Sequence, residues 1–285
     1  VHRRLFFIFK PNELEKIGNK KETVSDSWIL VLEYFYQTLS FCRFNDIPPI
    51  ERIALMLYLI PCQLYDGVTE TIPAYVLDAV KQCQIFYVEN ERSARRFLKS
   101  LWRDMVIDNY EWHTIHKAEP AVMQQFIRSL QAGKNIGILS EAGCPCIADP
   151  GHLLVAKAQH LGFAVKPLVG PSSIVLALMG SGLNGQQFRF NGYLPIDGSA
   201  RRKALLELEA TVQTSSETQL FMETPYRNDQ LFKDMLHCLH PETLLCVAAD
   251  ISAATESIVT KPVHLWKSSP PPLHKRPVMF LIGRY

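Results

Sequence analysis

The sequence predicts an α/β fold: two α/β domains with mixed, mostly parallel sheets, and an appended N-terminal segment. Three observations lead there. From Met56 onward, short apolar runs alternate with longer segments whose apolar residues recur at helical spacing. Glycine or proline stands where most of these segments must end. A 285-residue chain that is 47% hydrophobic also has enough apolar surface to cover two sheets.

The first strand is expected at 57–60, stopped by Pro61. A helix follows with Pro73 in its first turn and Val76, Leu77 and Val80 on one face, then a strand at Ile85-Phe86-Tyr87-Val88. Residues 91–101 read as a helix and 110–115 as a strand. Val122, Met123, Phe126, Ile127 and Leu130 mark the next helix, closed by Gly133. A strand at 136–139 precedes a helix carrying Leu154, Ala158 and Leu161, which Gly162 ends. After a strand at 163–168 the order changes: a helix starts at "VGPSS", and strands are expected at 188–193, 219–222, 244–248, 257–263 and 278–282. Leu231, Phe232, Met235, Leu236 and Leu239 give a helix in this half its apolar stripe. The domains are expected at 56–169 and 170–285. Residues 1–55, Lys/Glu/Asn-rich and then aromatic, lack the rhythm and read as an N-terminal extension of uncertain status.

A net charge of +2 announces no overall field for a polyanion, so partners must be argued from patches. Seven cysteines, an odd number without repeated spacing, fit reduced thiols and a cytoplasmic protein. Neither Cys144 and Cys146 nor His237, Cys238 and His240 complete a zinc set, so no metal is expected. The apolar run at 53–60 is too short to span a bilayer.

The stretch "ILSEAGCPCIADPGHLL", 138–154, is the most informative one. It leaves a strand, where α/β sheets collect ligands, and Ala142 and Gly143 allow close approach to its backbone. Pro145 and Pro150 stiffen it. A plain strand-to-helix connection capped by Asp149 is an equal alternative on these residues alone. "GPSS", 170–173, is expected to start a helix with Ser172 or Ser173 as its cap, leaving N–H groups and hydroxyls for an acceptor.

"ILSEAGCPCIADPG", then "PLVGPSSIVLALMGSGL" and "FNGYLP", resemble the tetrapyrrole methylase superfamily of S-adenosylmethionine-dependent methyltransferases. Within it they are most similar to the ribosomal small-subunit methyltransferase I group, which methylates a cytidine ribose 2′-hydroxyl of 16S rRNA. "LYLIP", "VENERSARRFL", "FMETPYRN" and "HKRPVMFLIG" extend the resemblance over residues 56–285. It implies S-adenosyl-L-methionine held between two domains, in a homodimer acting on RNA of the small ribosomal subunit. Carried over by motif, the cofactor contacts are Pro61, Ser140, Glu141, Ala142, Gly143, Cys144, Pro145, Ser172, Ser173, Met222, Ala248 and Pro277.

Departures from the group are informative. Glu141, Cys144 and Ala148 stand where the group has Asp, Thr and Ser. Gln63-Leu64-Tyr65 replace its G-N-L, which implies a reshaped first-domain wall. Residues 249–253, "ADISA", replace R-E-L-T-K and lose both basic side chains, which weakens the RNA expectation in particular.

Methyl transfer from a sulfonium needs alignment above all, with a carboxylate to take the acceptor's proton. Glu89, Glu141, Asp149 and Glu223 are the candidates at strand ends, and Glu89 leads because it ends a buried strand and matches the group's Glu. Arg92, Arg95, Arg96 and Lys99 share one helix face, and with Arg201, Arg202 and Lys203 they could track phosphates or simply face solvent. Tyr226 and Arg227 could stack on a base. RNA methylation, tetrapyrrole C-methylation and a non-catalytic nucleotide-binding module are the three readings, in that order.

Overall fold

A computed structural model describes residues 55–115 and 119–284, so the expectations for 1–54 lie outside the described residues. The first sheet is built from β1 (Met56–Leu59), β2 (Ile85–Val88), β3 (Glu111–Thr114), β4 (Ile136–Leu139) and β5 (Ala164–Pro167). Its order is β3-β2-β4-β1-β5 and every pairing is parallel. Ile60 extends the ladder past β1 by donating its N–H to the Ile138 carbonyl before Pro61 ends it.

Helices cover both faces of this sheet, as a parallel sheet requires. α1 (Tyr75–Gln82) and α2 (Glu91–Leu101) bury Val76, Val80, Phe97 and Leu98 against Phe86 and Val88. α3 (Glu119–Gln131) and α4 (His152–His160) bury Phe126, Leu130, Leu154 and Ala158 against Tyr87, Ile136 and Ile138 on the other face. Gly137 in β4 is fixed by crowding: a Cβ there would lie 2.7 Å from Ile60 and 2.8 Å from the Phe86 ring.

The second sheet runs β6-β7-β10-β8-β9, from β6 (Phe188–Tyr193), β7 (Thr218–Met222), β8 (Leu244–Ala249), β9 (Ser257–Pro262) and β10 (Val278–Gly283). Only β6 and β7 pair in parallel; the other three pairings are antiparallel, so the mixed character expected from the sequence resides entirely here. Side chains alternate between two cores with period two. Val278, Phe280 and Ile282 meet α6 (Gly198–Ser215), α7 (Asn228–Cys238) and α8 (Val263–Ser268), whereas Met279 and Leu281 meet α5 (Ser173–Ser181). Val263 begins α8 instead of prolonging β9, a change from the 257–263 strand read in the sequence.

One irregularity aims a side chain. The β6–β7 register slips between Phe190 and Tyr193, with Gly192 at φ +64° between them, and the bulge turns Tyr193 outward at the strand's end. Both sheets belong to one compact unit. Among the described residues no helix is long and apolar enough to cross a membrane.

Candidate functional site

Beyond the carboxyl ends of β1 and β4 the chain is braced before any ligand arrives. Cys62 and Gly143 form a two-bond antiparallel bridge, with Cys62 N–H on the Gly143 carbonyl at 2.8 Å and the return bond at 3.1 Å. Gly143 holds φ +70°, a conformation that favours glycine, and a Cβ there would stand 3.1 Å from Leu64 Cδ2. The Ser140 hydroxyl donates to the Ala142 carbonyl and the Cys144 thiol to that of Pro171, tying the loop to "GPSS". Gly170 completes the contact: a Cβ there would overlap Pro61 Cβ at 2.2 Å.

These segments and the second sheet enclose a cavity of about 380 Å³, within the range of small-molecule sites. Of the sequence-predicted positions, Glu141, Ala142, Gly143 and Cys144 line it from the loop, and Ser172 and Ser173 from the start of α5. Met222, Ala248 and Pro277 line it from the second sheet, and Glu89 from the end of β2. Pro61, Ser140 and Pro145 are buried behind that lining and act as support.

Of the two capping expectations, the one at Asp149 is corrected and the one at Ser172 is met in position. Gly151, not Asp149, occupies the N-cap of α4, and Asp149 faces the cavity instead. Ser172 holds the N-cap position of α5, but its hydroxyl makes no capping bond and so stays open toward the cavity. Leu64 and Tyr65, where the family resemblance has G-N-L, form part of the first-domain wall.

The electrostatics are one-sided. Glu89, Glu141, Asp149, Glu223 and Asp250 line the cavity, and no lysine or arginine does among the described residues. Burial, then the charges of Glu89 and Glu141, raise the Asp149 carboxyl from 3.8 to about 6, with the neighbouring Ser140 hydroxyl acting in the opposite sense. Glu89 Oε2 accepts from the Glu141 backbone N–H at 3.0 Å, so this residue holds the loop as well as facing the cavity. Burial, then the charges of Asp149, Glu223 and Glu89, raise the Tyr193 phenol, with Arg227 opposing, which puts Tyr193 between the carboxylates of the two sheets. Asp250 is spent on Arg276, whose Nε donates to it at 2.8 Å.

The expected phosphate-facing residues divide. Arg92 is exposed at the start of α2, with no ion-pair partner among the described residues. Arg95 pairs with Glu91 and lies 5.0 Å over Trp112, Arg96 pairs with Asp66, and Lys99 donates to the Arg103 and Met105 carbonyls. Arg201 departs most from the expectation: only 5% exposed, it forms two hydrogen bonds with Asp234 Oδ2 and one with the Ile196 carbonyl. Its guanidinium is a core group, since a charge removed from water needs such partners. Arg202 also leans on Asp234, whereas Lys203 remains at the surface. Tyr226 is 71% exposed, with its ring edge-on to His274, and Arg227 pairs with Glu223. His274 carried no local signal in the sequence.

Among the described residues no group of three or more metal-ligating side chains is gathered. A cavity of this size, with apolar walls, free serine hydroxyls, a glycine-lined backbone and a wholly acidic rim, suits a nucleoside ligand that carries positive charge. Fold and cavity together are those of an α/β protein with a nucleoside-sized site beyond its strand ends. The model of the Tetrapyrrole (Corrin/Porphyrin) Methylases matches residues 66–264, and the chain belongs to that family. With the family come its reaction, methyl transfer, and its donor, S-adenosyl-L-methionine, whose sulfonium and ammonium groups the acidic lining fits.

The chain is similar to the ribosomal RNA small subunit methyltransferase I of Vibrio cholerae serotype O1, 30% identical over 219 residues covering 77% of this chain and 73% of that protein. The enzyme of the same description from Pseudomonas aeruginosa is 35% identical over 148 residues, 51% of each chain. In fold it is similar to diphthine synthase, with TM-score 0.60 and 13% identity over 80% of this chain and 89% of that one. The uroporphyrin-III-C-methyltransferase of Thermus thermophilus matches with TM-score 0.50 and 16% identity over 80% and 94%.

Proposed function

We propose that this chain transfers a methyl group to a ribose 2′-hydroxyl of 16S rRNA in the small ribosomal subunit. The observation that carries the reading is the convergence of residues 141–144, Ser172 and Ser173 on one cavity with Asp149, a carboxylate whose pKa is raised to about 6. Similarity to the two small-subunit methyltransferases supports the choice of acceptor.

S-adenosylmethionine, when bound, supplies an electrophilic methyl and leaves as a neutral thioether. Ser172 and Ser173 with the loop backbone would hold its amino-acid end, and the backbone at Met222, Ala248 and Pro277 its nucleoside end. The chain must then align the acceptor oxygen and remove its proton. Asp149 suits the second task better than Glu89: it is ionised at pH 7 yet basic enough to accept, whereas Glu89 already braces Glu141. Glu89 thus positions the loop and, by its charge, keeps Asp149 basic. Arg92 and Lys203 at the surface serve RNA phosphates, and Tyr226 a base.

A porphyrin precursor fits less well, because its many carboxylates would meet Glu89, Glu141 and Asp149, which no lysine or arginine pairs among the described residues. Transfer of labelled methyl from S-adenosylmethionine tests the choice. Incorporation into undermethylated small subunits supports the reading, incorporation into a porphyrinogen replaces it, and donor binding without either product favours a non-catalytic module.

A homodimer in the cytoplasm completes the reading. Val175 and Met179 lie one turn apart on α5, Met179 73% exposed, with Val169 67% exposed just before it, an apolar patch that a second copy would cover. A monomer at micromolar concentration in sedimentation would rule this out.

A further inference from the structure

An irregularity brings Tyr193 to the cavity. In a regular strand Phe190 and Tyr193, three positions apart, would face opposite sides of the sheet. Here Phe190 pairs with Leu220 and Tyr193 with Met222, three steps along β6 against two along β7, and the extra residue puts both rings on the cavity wall. Gly192 supplies the φ of +64° at the bulge. The same step sends Leu194 into the core on the other face, which anchors the strand end and fixes where Tyr193 points. The Tyr193 ring itself is 57% exposed, so core packing does not account for its place; it forms an aromatic surface at the cavity's mouth.

Strand order decides which ligand meets that ring. Ser172 and Ser173 follow β5, and α5 packs on Ala248 of β8 and on Met279 and Leu281 of β10. On the reading above the donor lies at this end, held by those serines, the loop backbone and the backbone at Met222, Ala248 and Pro277. β2 and β6 stand three strands away from β5 and β8 in their respective sheets. At that other end Glu89, Asp149 and Glu223 are all near enough for their charges to act on the Tyr193 phenol. Asp149 takes the acceptor's proton, so the reacting hydroxyl lies on the Asp149 side of the donor's methyl, which is the Tyr193 side. In a nucleotide the base is joined to the carbon next to the one that bears the 2′-oxygen, so the base stands close by. Carboxylates repel the phosphates on either side of it, and the neutral base is the part of the acceptor this wall can take. An exposed aromatic ring there offers the base a stacking face.

We infer that the Tyr193 ring stacks on the base of the nucleotide whose ribose is methylated, and so holds the acceptor hydroxyl between the donor's methyl and Asp149. This inference rests on the RNA reading above and adds a residue to it. Two other roles compete for the same side chain. As a lid, Tyr193 would close over the donor; as a hydrogen-bond donor, its hydroxyl would meet the reacting oxygen. The first ties Tyr193 to donor affinity and the second to its hydroxyl, whereas stacking needs only the ring.

The full chain, with Tyr193→Leu and Tyr193→Phe, separates these roles. In methyl transfer to undermethylated small subunits, Tyr193→Leu should raise KM about tenfold, in the range of one base–aromatic stack, with kcat within about threefold of the wild type. Tyr193→Phe, which returns the ring without the hydroxyl, should recover most of that loss. Titration calorimetry with S-adenosylhomocysteine should give all of them the same affinity within about twofold, which also reports that the variants are folded. An unchanged KM in Tyr193→Leu overturns the inference. So does a kcat that falls equally in both variants, the mark of the hydroxyl, or a weaker affinity for S-adenosylhomocysteine once the ring is gone, the mark of a lid. A wild type inactive on small subunits ends the RNA reading and this inference with it, whereas the other adverse results, in an active wild type, end the inference alone.

Discussion

Replacing Asp149 with Asn removes a carboxyl whose ionisation the fold opposes. The group titrates near 3.8 when unfolded and near 6 when folded, raised by burial and then by Glu89 and Glu141. Between those values the folded chain holds a proton that the unfolded chain has released. Stability therefore falls as pH rises through this window, and the deficit is complete above about 6. At face value the rise corresponds to ~3 kcal/mol. Asp149 is only half-buried, and screening by water brings this to about 1–2 kcal/mol. Asn escapes the deficit but loses part of the Ser140 interaction, an offset that does not vary with pH. The quantity to read is thus the change in the difference between variant and wild type. Thermal unfolding followed by circular dichroism should show Asp149→Asn gaining about 2–8 °C on the wild type between pH 4 and pH 8. A difference that stays flat across that range would refute the argument. In the transfer assay, wild-type kcat should rise from pH 5 to 7 with a limb near 6. The variant should lose about a hundredfold or more and show no such limb.

Three further outcomes follow from contacts described above. Gly170→Ala should lose about 1–3 kcal/mol in denaturant titrations and weaken donor binding in calorimetry, because its Cβ would overlap Pro61 at 2.2 Å. A neutral result would mean that this junction is loose. Asp234→Ala should destabilise by about 3–5 kcal/mol by stranding the buried Arg201, and adding Arg201→Met should recover much of the loss. Chemical unfolding of the single and double variants checks both. Arg92→Ala should lower RNA affinity and reduce the slope of log affinity against log salt by about 1, leaving the donor's affinity alone. Fluorescence anisotropy across a salt series gives that slope, and an unchanged slope removes Arg92 from the RNA surface.

Much of the fold is written locally. Apolar spacing locates β2, β4 and α2, and Gly133 and Gly162, at φ +77° and +74°, stop their helices as glycine does. The bend after β4 is legible because glycine and proline leave few conformations to a strand end. What escaped depends on partners distant in sequence. Arg201 looks like a surface cation until Asp234, thirty-three positions away, draws it inward. Arg96 likewise finds Asp66 across thirty positions. The antiparallel half of the second sheet left a usable trace: the seven residues between β8 and β9 are too few for a crossover helix. Leu64 and Tyr65 were legible only through the resemblance, where they replace G-N-L, because their own residue types say nothing of the cavity wall that the tertiary fold brings them to.

The Cys62–Gly143 bridge fixes when the ligand loop loses its freedom. Gly143 has committed both its amide and its carbonyl to a neighbouring segment, so what it offers a guest is bare surface and not a bond. The entropy of shaping that bend is surrendered during folding, once per molecule, and not again at each encounter with the donor. The bend is thus a shape that folding alone has already set.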